Sequence, residues 1–221
     1  LHISNTDIKN DSRILKEMRS LKRFTQKNNF QIYGIGLEES VKKKYRNNNT
    51  DLNIFTCRRK TSKFFSKFKP LNHAITFFEL LLFILKYTFK MKPKIVHCHD
   101  TLVLPIGLLV KLFTGSKLIY DAHELESNKN LQSKIDSSVI KFIEFISWRY
   151  IDLFISVSPS ICKWYEDHFG EKNNIVILNS PELINNSNQT SKKFEIRKTY
   201  KIDNDETLFI YFGILGPGRG I

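Results

Sequence analysis

The sequence predicts an α/β fold, a parallel sheet with helices on both faces. Two short runs, Lys94-Ile95-Val96-His97-Cys98-His99-Asp100 and Lys117-Leu118-Ile119-Tyr120-Asp121-Ala122-His123-Glu124, are β-branched or apolar and end in polar, chemically capable side chains. Between them, residues 102–114 form an apolar segment of helical length. Strand, helix, strand is a crossover unit and implies parallel pairing. The same alternation recurs from residue 1 to residue 180, enough to bury a core on its own. In open parallel sheets, ligands sit in the crevice outside the carboxyl ends of the strands. His99, Asp100, His123 and Glu124 lie at two such ends.

Residues 1–4 read as the first strand, and residues 5–10 as a polar loop. Asp11 or Ser12 caps a helix through Lys22, with Ile14, Leu15, Met18 and Leu21 on one face. Residues 30–36 and 52–56 read as the second and third strands, separated by a charged, Asn-rich loop over 38–51. Residues 71–89 are apolar over nearly a membrane-spanning length. Asn72, Thr76, Glu79, Lys86 and Lys90 nevertheless recur on one narrow stripe, which predicts a helix packed on the sheet with one wet edge. Pro93 stops it before the strand at 94–99. After the strand at 117–120, residues 131–151 are helical, with Ile135, Val139, Phe142, Ile143 and Ile146 in register. Residues 152–157 read as a strand. Ser158 caps a helix with Pro159 at its first position, running to Phe169 and Gly170. Residues 174–179 form a further strand and 181–191 a polar linker. A short helix over 194–200, a strand over 207–212 and a glycine-rich turn over 213–220 close the sequence, as though a second domain were just beginning.

The chain has 221 residues, 41% of them hydrophobic and 13% aromatic, which argues for a globular core and against disorder. Cys57, Cys98 and Cys162 are far apart and form no close pair. They argue against a disulfide framework or a zinc finger, and suit a reducing cytoplasm. The net charge of +13 favours anionic partners, whether nucleic acid, an anionic bilayer or phosphorylated small molecules. Spread along the chain as it is, the charge is equally that of a solvated basic surface.

His97 and His99 share one strand face, as a metal pair would. Zinc would need further ligands, with His123 or Glu124 the candidates. The spacing is not specific, and no metal is assigned. Asp100 is expected to cap the helix from Leu102, leaving His99 to face the cleft and His97 to pack beneath a helix. His123, at a strand's carboxyl end, can bind a sugar hydroxyl or phosphate oxygen, act as a base, or serve structure alone; Glu124 can orient it. In the terminal turn, Gly213, Gly216 and Gly218 allow close approach of backbone N–H groups to an anion, and Arg219 adds charge. This is neither a Walker motif nor the dinucleotide fingerprint.

Val96-His97-Cys98-His99-Asp100, Gly107-Leu108-Leu109, the run from Gly115 to Leu125, Ser156-Val157-Ser158 and Asn179-Ser180-Pro181 resemble, in order and spacing, the N-terminal domain of retaining glycosyltransferases of family 4. The run from Phe209 to Ile221 resembles the opening of their C-terminal domain. The resemblance implies the GT-B architecture, two Rossmann-like domains facing across a cleft. It divides the chain into an acceptor-side domain over 1–180, a linker and short helix over 181–206, and the start of a nucleotide-sugar domain over 207–221. It implies His123 as the catalytic histidine; His99, Asp100, Asp121 and Glu124, from their place at the strand ends, are the expected substrate-binding residues. The resemblance implies Gly213 and Arg219 as donor diphosphate ligands, with Gly216 and Gly218 of the same glycine-rich turn expected beside them. Ile214 stands where the family often has an arginine, residues 5–10 lack the family's first glycine-rich loop, and the family's paired donor glutamates would fall beyond Ile221. The implied reaction moves a sugar from a nucleotide-diphosphate donor to a glycan or lipid-linked acceptor, as in surface polysaccharide synthesis. The donor is a substrate, with no cofactor. The implied partners are donor, acceptor and an anionic membrane surface, with no nucleic acid, and the place is the cytoplasm, peripheral to the membrane. These 221 residues alone are expected to be inactive. A nucleotide-sugar epimerase of the same fold, or a non-catalytic binding domain, are the alternatives.

Overall fold

Seven parallel strands form one sheet in the order β3-β2-β1-β4-β5-β6-β7. They are β1 (His2–Ser4), β2 (Tyr33–Leu37), β3 (Asn53–Cys57), β4 (Ile95–His99), β5 (Lys117–Ala122), β6 (Leu153–Ser156) and β7 (Asn174–Val176). This computed structural model describes residues 1–25, 30–38, 51–59, 69–128, 132–180, 196–203 and 205–211. The helices are α1 (Ser12–Thr25), α2 (Lys69–Met91), α3 (Leu104–Thr114), α4 (Lys134–Trp148), α5 (Pro159–Phe169) and α6 (Ile196–Tyr200). The chain builds outward from β1 to β3, returns through α2 to β4, and builds outward the other way. The order therefore reverses between β1 and β4, and the crevice at such a reversal is where ligands bind in open α/β sheets.

Right-handed crossovers place α1 on one face of the sheet and α2, α3, α4 and α5 on the other. The core agrees. Ile14, Leu15 and Met18 of α1 pack with Ile8 and Leu52 on one side. Leu80 and Ile84 of α2, Ile106 and Val110 of α3, Trp148 of α4 and Tyr165 of α5 share the cluster on the other.

Local chemistry sets the element ends. Asp11 Oδ1 accepts from the N–H groups of Arg13 and Ile14, each at 3.0 Å, and so starts α1. Ser133 and Ser158 accept from Asp136 N and Ile161 N at 3.1 and 3.3 Å. Gly115 ends α3 in the left-handed region at φ 70°. Gly107 lets α3 sit down on the sheet, because a Cβ there would run into Cys98 Sγ.

Four expectations need correction. Asp100 makes no side-chain cap; a 3-10 turn over Thr101–Val103 precedes α3, and Asp100 takes φ 68° and ψ 160°. The helical register of α4 is right, but Ile135, Val139, Phe142 and Ile146 face outward, while Glu144, Ser147 and Trp148 are buried. In α2 the expected polar edge is only partly open: Lys86 and Lys90 are exposed, but so are Leu71, Phe78, Leu82 and Phe89. Residues 207–211 form no strand, and Phe209 is 90% exposed. By contacts the chain divides into Leu1–Ser180 and Pro181–Ile221.

Candidate functional site

The parallel register brings the sequence-predicted residues together. His99 pairs with Asp121 across β4 and β5, and His2 with His97 across β1 and β4. Alternation along β4 puts His97 and His99 on one face, with ring centroids 4.3 Å apart. His2 stacks beside both, at 4.7 and 5.2 Å. A hydrogen-bonded row results: His2 Nδ1 to His99 Nε2 at 2.9 Å, then His99 Nδ1 to His123 Nε2 at 3.2 Å. At the outer end, His123 Nδ1 stands 3.6 Å from Asp100 Oδ1.

Asp121 is the centre of charge and is fully buried. Its Oδ1 accepts from Arg13 Nη2 at 2.8 Å. Its Oδ2 faces His97 Nε2 and His99 Nδ1 at 3.5 Å and His123 Nε2 at 3.6 Å. These three are electrostatic contacts rather than well-formed hydrogen bonds. Arg13 also donates Nη1 to the Ile177 carbonyl at 3.1 Å, and its Nε lies 3.2 Å from Glu17 Oε1. One guanidinium thus ties the start of α1 to the ends of β5 and β7.

The environment separates the titrations. Burial disfavours charge on Asp121, but His123, His97 and His99 outweigh it and hold the carboxyl far below the usual range. Burial pushes Glu17 up, and the Asp121 charge adds to this against the pull of Arg13, raising it to about 8. Glu17 is therefore largely protonated at neutral pH, although it touches Arg13, whose closer partner is Asp121. Burial lowers His99 to about 3, helped by His97. Burial likewise lowers His2 and His97. Burial pulls His123 down too, but Asp121 and then Asp100 outweigh it, so this histidine alone of the group is raised.

His123 is also the histidine that solvent reaches, its side chain 20% exposed. His99, expected to face the cleft, is fully buried and backs His123 instead. Glu124 is exposed and follows directly on His123. Gly213, Gly216, Gly218 and Arg219 lie outside the described residues. Sequence reading missed His2, Arg13 and Glu17. An Arg-x-x-x-Glu pair on the otherwise apolar face of α1 is the signal that could have found the last two.

The loop after β1 walls an open polar cleft of about 350 Å3, lined by Asn5, Thr6, Asp7, Asn10, Asp11, Leu37, Glu38 and Arg59. The loop sits tightly on β2: Leu37 N donates to the Thr6 carbonyl at 3.0 Å, and a Cβ at Gly36 would run into that same oxygen.

Two sets of side chains bring possible metal ligands within 4.8 Å of one another: His2, Glu17, His97 and His99, and His99, Asp121 and His123. The chain's own chemistry competes with an ion in both. His2 and His99 are already joined at 2.9 Å, and Arg13 supplies positive charge beside Asp121 and Glu17.

In a search of the solved structures, sucrose-phosphate synthase of Thermosynechococcus elongatus superposes with a TM-score of 0.53 at 10% identity, over 82% of this chain and 88% of that one. This likeness is one of fold. A lipopolysaccharide outer core galactosyltransferase, WaaB in its apo form, gives 0.48 at 13% identity, over 83% of this chain and 46% of that one. No curated protein matches. The profile of Glycosyltransferase Family 4 matches residues 18–180. That span holds β4, β5 and their carboxyl-terminal residues, and the chain belongs to glycosyltransferase family 4.

Proposed function

We propose that this chain supplies the acceptor side of a retaining glycosyltransferase that moves a hexosyl group from a nucleotide-diphosphate donor to a glycan or lipid-linked acceptor, in surface polysaccharide synthesis on the cytoplasmic side of a membrane. In the transfer, the bond from the anomeric carbon to the diphosphate breaks and one to the acceptor oxygen forms. The acceptor's proton leaves with the diphosphate. The reading assigns no metal or cofactor, and takes Gly213, Gly216, Gly218 and Arg219 as ligands of the donor diphosphate.

The observation that carries this reading is His123. It is the solvent-reached end of a buried row of histidines, at the carboxyl edge of the sheet and beside the reversal of strand order. Its titration is raised, because Asp121 and then Asp100 favour the charged ring against the pull of burial. A histidine whose charged form is favoured suits stabilisation of an oxygen that gains charge as the leaving group departs. Asp121 and Asp100 hold the ring from its two nitrogens. The polar cleft beside β1, whose wall carries Asp7, Asp11 and Glu38 as well as Arg59, offers partners for substrate hydroxyls.

The test is a panel of nucleotide-sugars added to the full-length enzyme with a lipid-linked acceptor. The reading expects nucleoside diphosphate release that depends on acceptor, and a product of unchanged anomeric configuration. Interconversion of the sugar without release would point to an epimerase, and binding without either to a non-catalytic domain.

A further inference from the structure

We infer that His99 is a positioning residue for His123: the row His2–His99–His123 runs in one direction, which fixes a hydrogen on His123 Nε2 and leaves Nδ1 as the nitrogen that exchanges protons. The inference deepens the proposed function and rests on it for the use of His123 in the reaction. The direction of the row belongs to the fold and is tested without turnover.

A hydrogen bond between two ring nitrogens holds one hydrogen, and a neutral imidazole has one N–H and one lone pair. His99 engages other rings with both nitrogens: Nε2 meets His2 Nδ1 at 2.9 Å, and Nδ1 meets His123 Nε2 at 3.2 Å. It is fully buried, which disfavours a second hydrogen on its ring. His97 is stacked on it, ring to ring. Two hydrogens therefore fill two links, and both must point the same way. If His123 donates to His99, then His99 donates to His2. If His2 donates to His99, then His99 donates to His123.

His123 chooses between these. Each of its nitrogens faces a carboxylate, Nδ1 at 3.6 Å from Asp100 Oδ1 and Nε2 at 3.6 Å from Asp121 Oδ2. That is a setting for a ring with two N–H groups. A charged ring donates from both nitrogens, so its Nε2–H meets His99 Nδ1 and the row runs inward, from His123 to His2. Asp121 Oδ2 also lies 3.5 Å from His99 Nδ1. It accepts from whichever nitrogen carries the hydrogen and so serves either direction. Arg13 of α1, with Glu17 beside it, engages the other oxygen of that carboxylate.

Reversing the row requires His2 to move its own hydrogen from Nε2 to Nδ1, and His2 is only 3% exposed. The outer nitrogen of His123 is under no such constraint, because solvent reaches that side chain. A proton lost from Nδ1 leaves every hydrogen behind it where it was. The ring therefore discharges and recharges on its outer side with no rearrangement of the row. A histidine's tautomer is set by the bond that its other nitrogen makes, and here His99 makes that bond.

The experiment is long-range proton–nitrogen correlation NMR of the 221-residue chain, isotope-labelled at its histidines, at a pH above the titration of His123. The inference expects His2, His99 and His123 all to carry hydrogen on Nε2 with Nδ1 bare, in His123 by at least about tenfold over the other tautomer. His99→Leu removes the acceptor and should bring up the Nδ1–H tautomer of His123, which faces Asp100. His99→Asn keeps an oxygen acceptor and should keep Nε2–H. In the full-length enzyme, His99→Leu should lower kcat at least about tenfold with KM little changed, and His99→Asn should restore part of it. The wild-type tautomers need no variant, so they decide the matter even if His99→Leu does not fold. Nδ1–H tautomers along the wild-type row, tautomers that differ from ring to ring, or an unchanged His123 tautomer in a folded His99→Leu chain would each overturn the inference. The expected tautomers together with wild-type turnover in His99→Leu would uphold the row and count instead against the action of His123 on substrate.

Discussion

Arg13 donates to Asp121 at 2.8 Å across a sequence separation of 108 residues, and both side chains are buried. This bond joins the first turn of α1 to the carboxyl end of β5, directly behind His123. A carboxylate so far from water is tolerable only because a cation and three imidazoles face it.

Breaking the pair should therefore be severe. Arg13→Met removes the guanidinium from the buried Asp121 and leaves only the imidazoles to face it, for which a loss of up to about 3–5 kcal/mol is expected. Chemical denaturation of the variant measures it. Arg13→Met with Asp121→Leu should recover much of that loss, because the charge is then gone as well.

The titrations give a stability maximum near neutral pH. His2, His97 and His99 are lowered in the fold. Below the ordinary histidine value the unfolded chain takes up protons that the fold refuses, so their contribution is lost as pH falls from about 6.5. Glu17 and His123 are raised. Their contribution is present at lower pH and is lost as pH rises through their folded values, about 8 for Glu17. Each proton contributes a slope of up to about 1.4 kcal/mol per pH unit. Denaturant midpoints from pH 4 to 9 should trace the dome, and Glu17→Gln should flatten its alkaline side.

Asp100 holds a positive φ of 68° without being glycine, at the edge of the site. Such backbone costs on the order of 1–3 kcal/mol. Asp100→Gly should therefore raise stability by about 1 kcal/mol while lowering the His123 titration, since a carboxylate that supports its charge is removed. Thermal unfolding reads the first effect and a proton NMR titration of the ring the second.

Gly107→Ala should destabilise by about 1–3 kcal/mol through overpacking against Cys98 Sγ. Cys98→Ala removes that sulfur, so the double variant should be more stable than the sum of the two single changes. Simple additivity would show that the helix shifts instead.

The sheet was legible because its strands are short apolar runs separated by well-capped helices, and Ser158-Pro159 or Gly115 leave little choice of boundary. His99, Asp100, Asp121 and His123 were legible as one edge because two adjacent strands end there. Their roles inside that edge were not. Whether Asp100 caps a helix or faces His123 depends on one backbone torsion, and whether His99 meets water depends on the covering residues. Arg13 and Glu17 come from a helix far away in sequence, and only the fold shows that they close the back of the site. Periodicity found the stripe of α4 but not the side it faces, since an apolar stripe reads alike whether it turns toward the core or outward.

The central claim is that His123 acts on the substrate and does not merely complete the packing of the histidine row. The direct measurement is steady-state turnover of His123→Ala in the full-length enzyme, with its thermal unfolding recorded alongside. The account predicts that kcat/KM falls at least about tenfold, a loss of about 1.4 kcal/mol or more of transition-state stabilisation, while the variant stays folded. Wild-type turnover in a folded His123→Ala protein would contradict it.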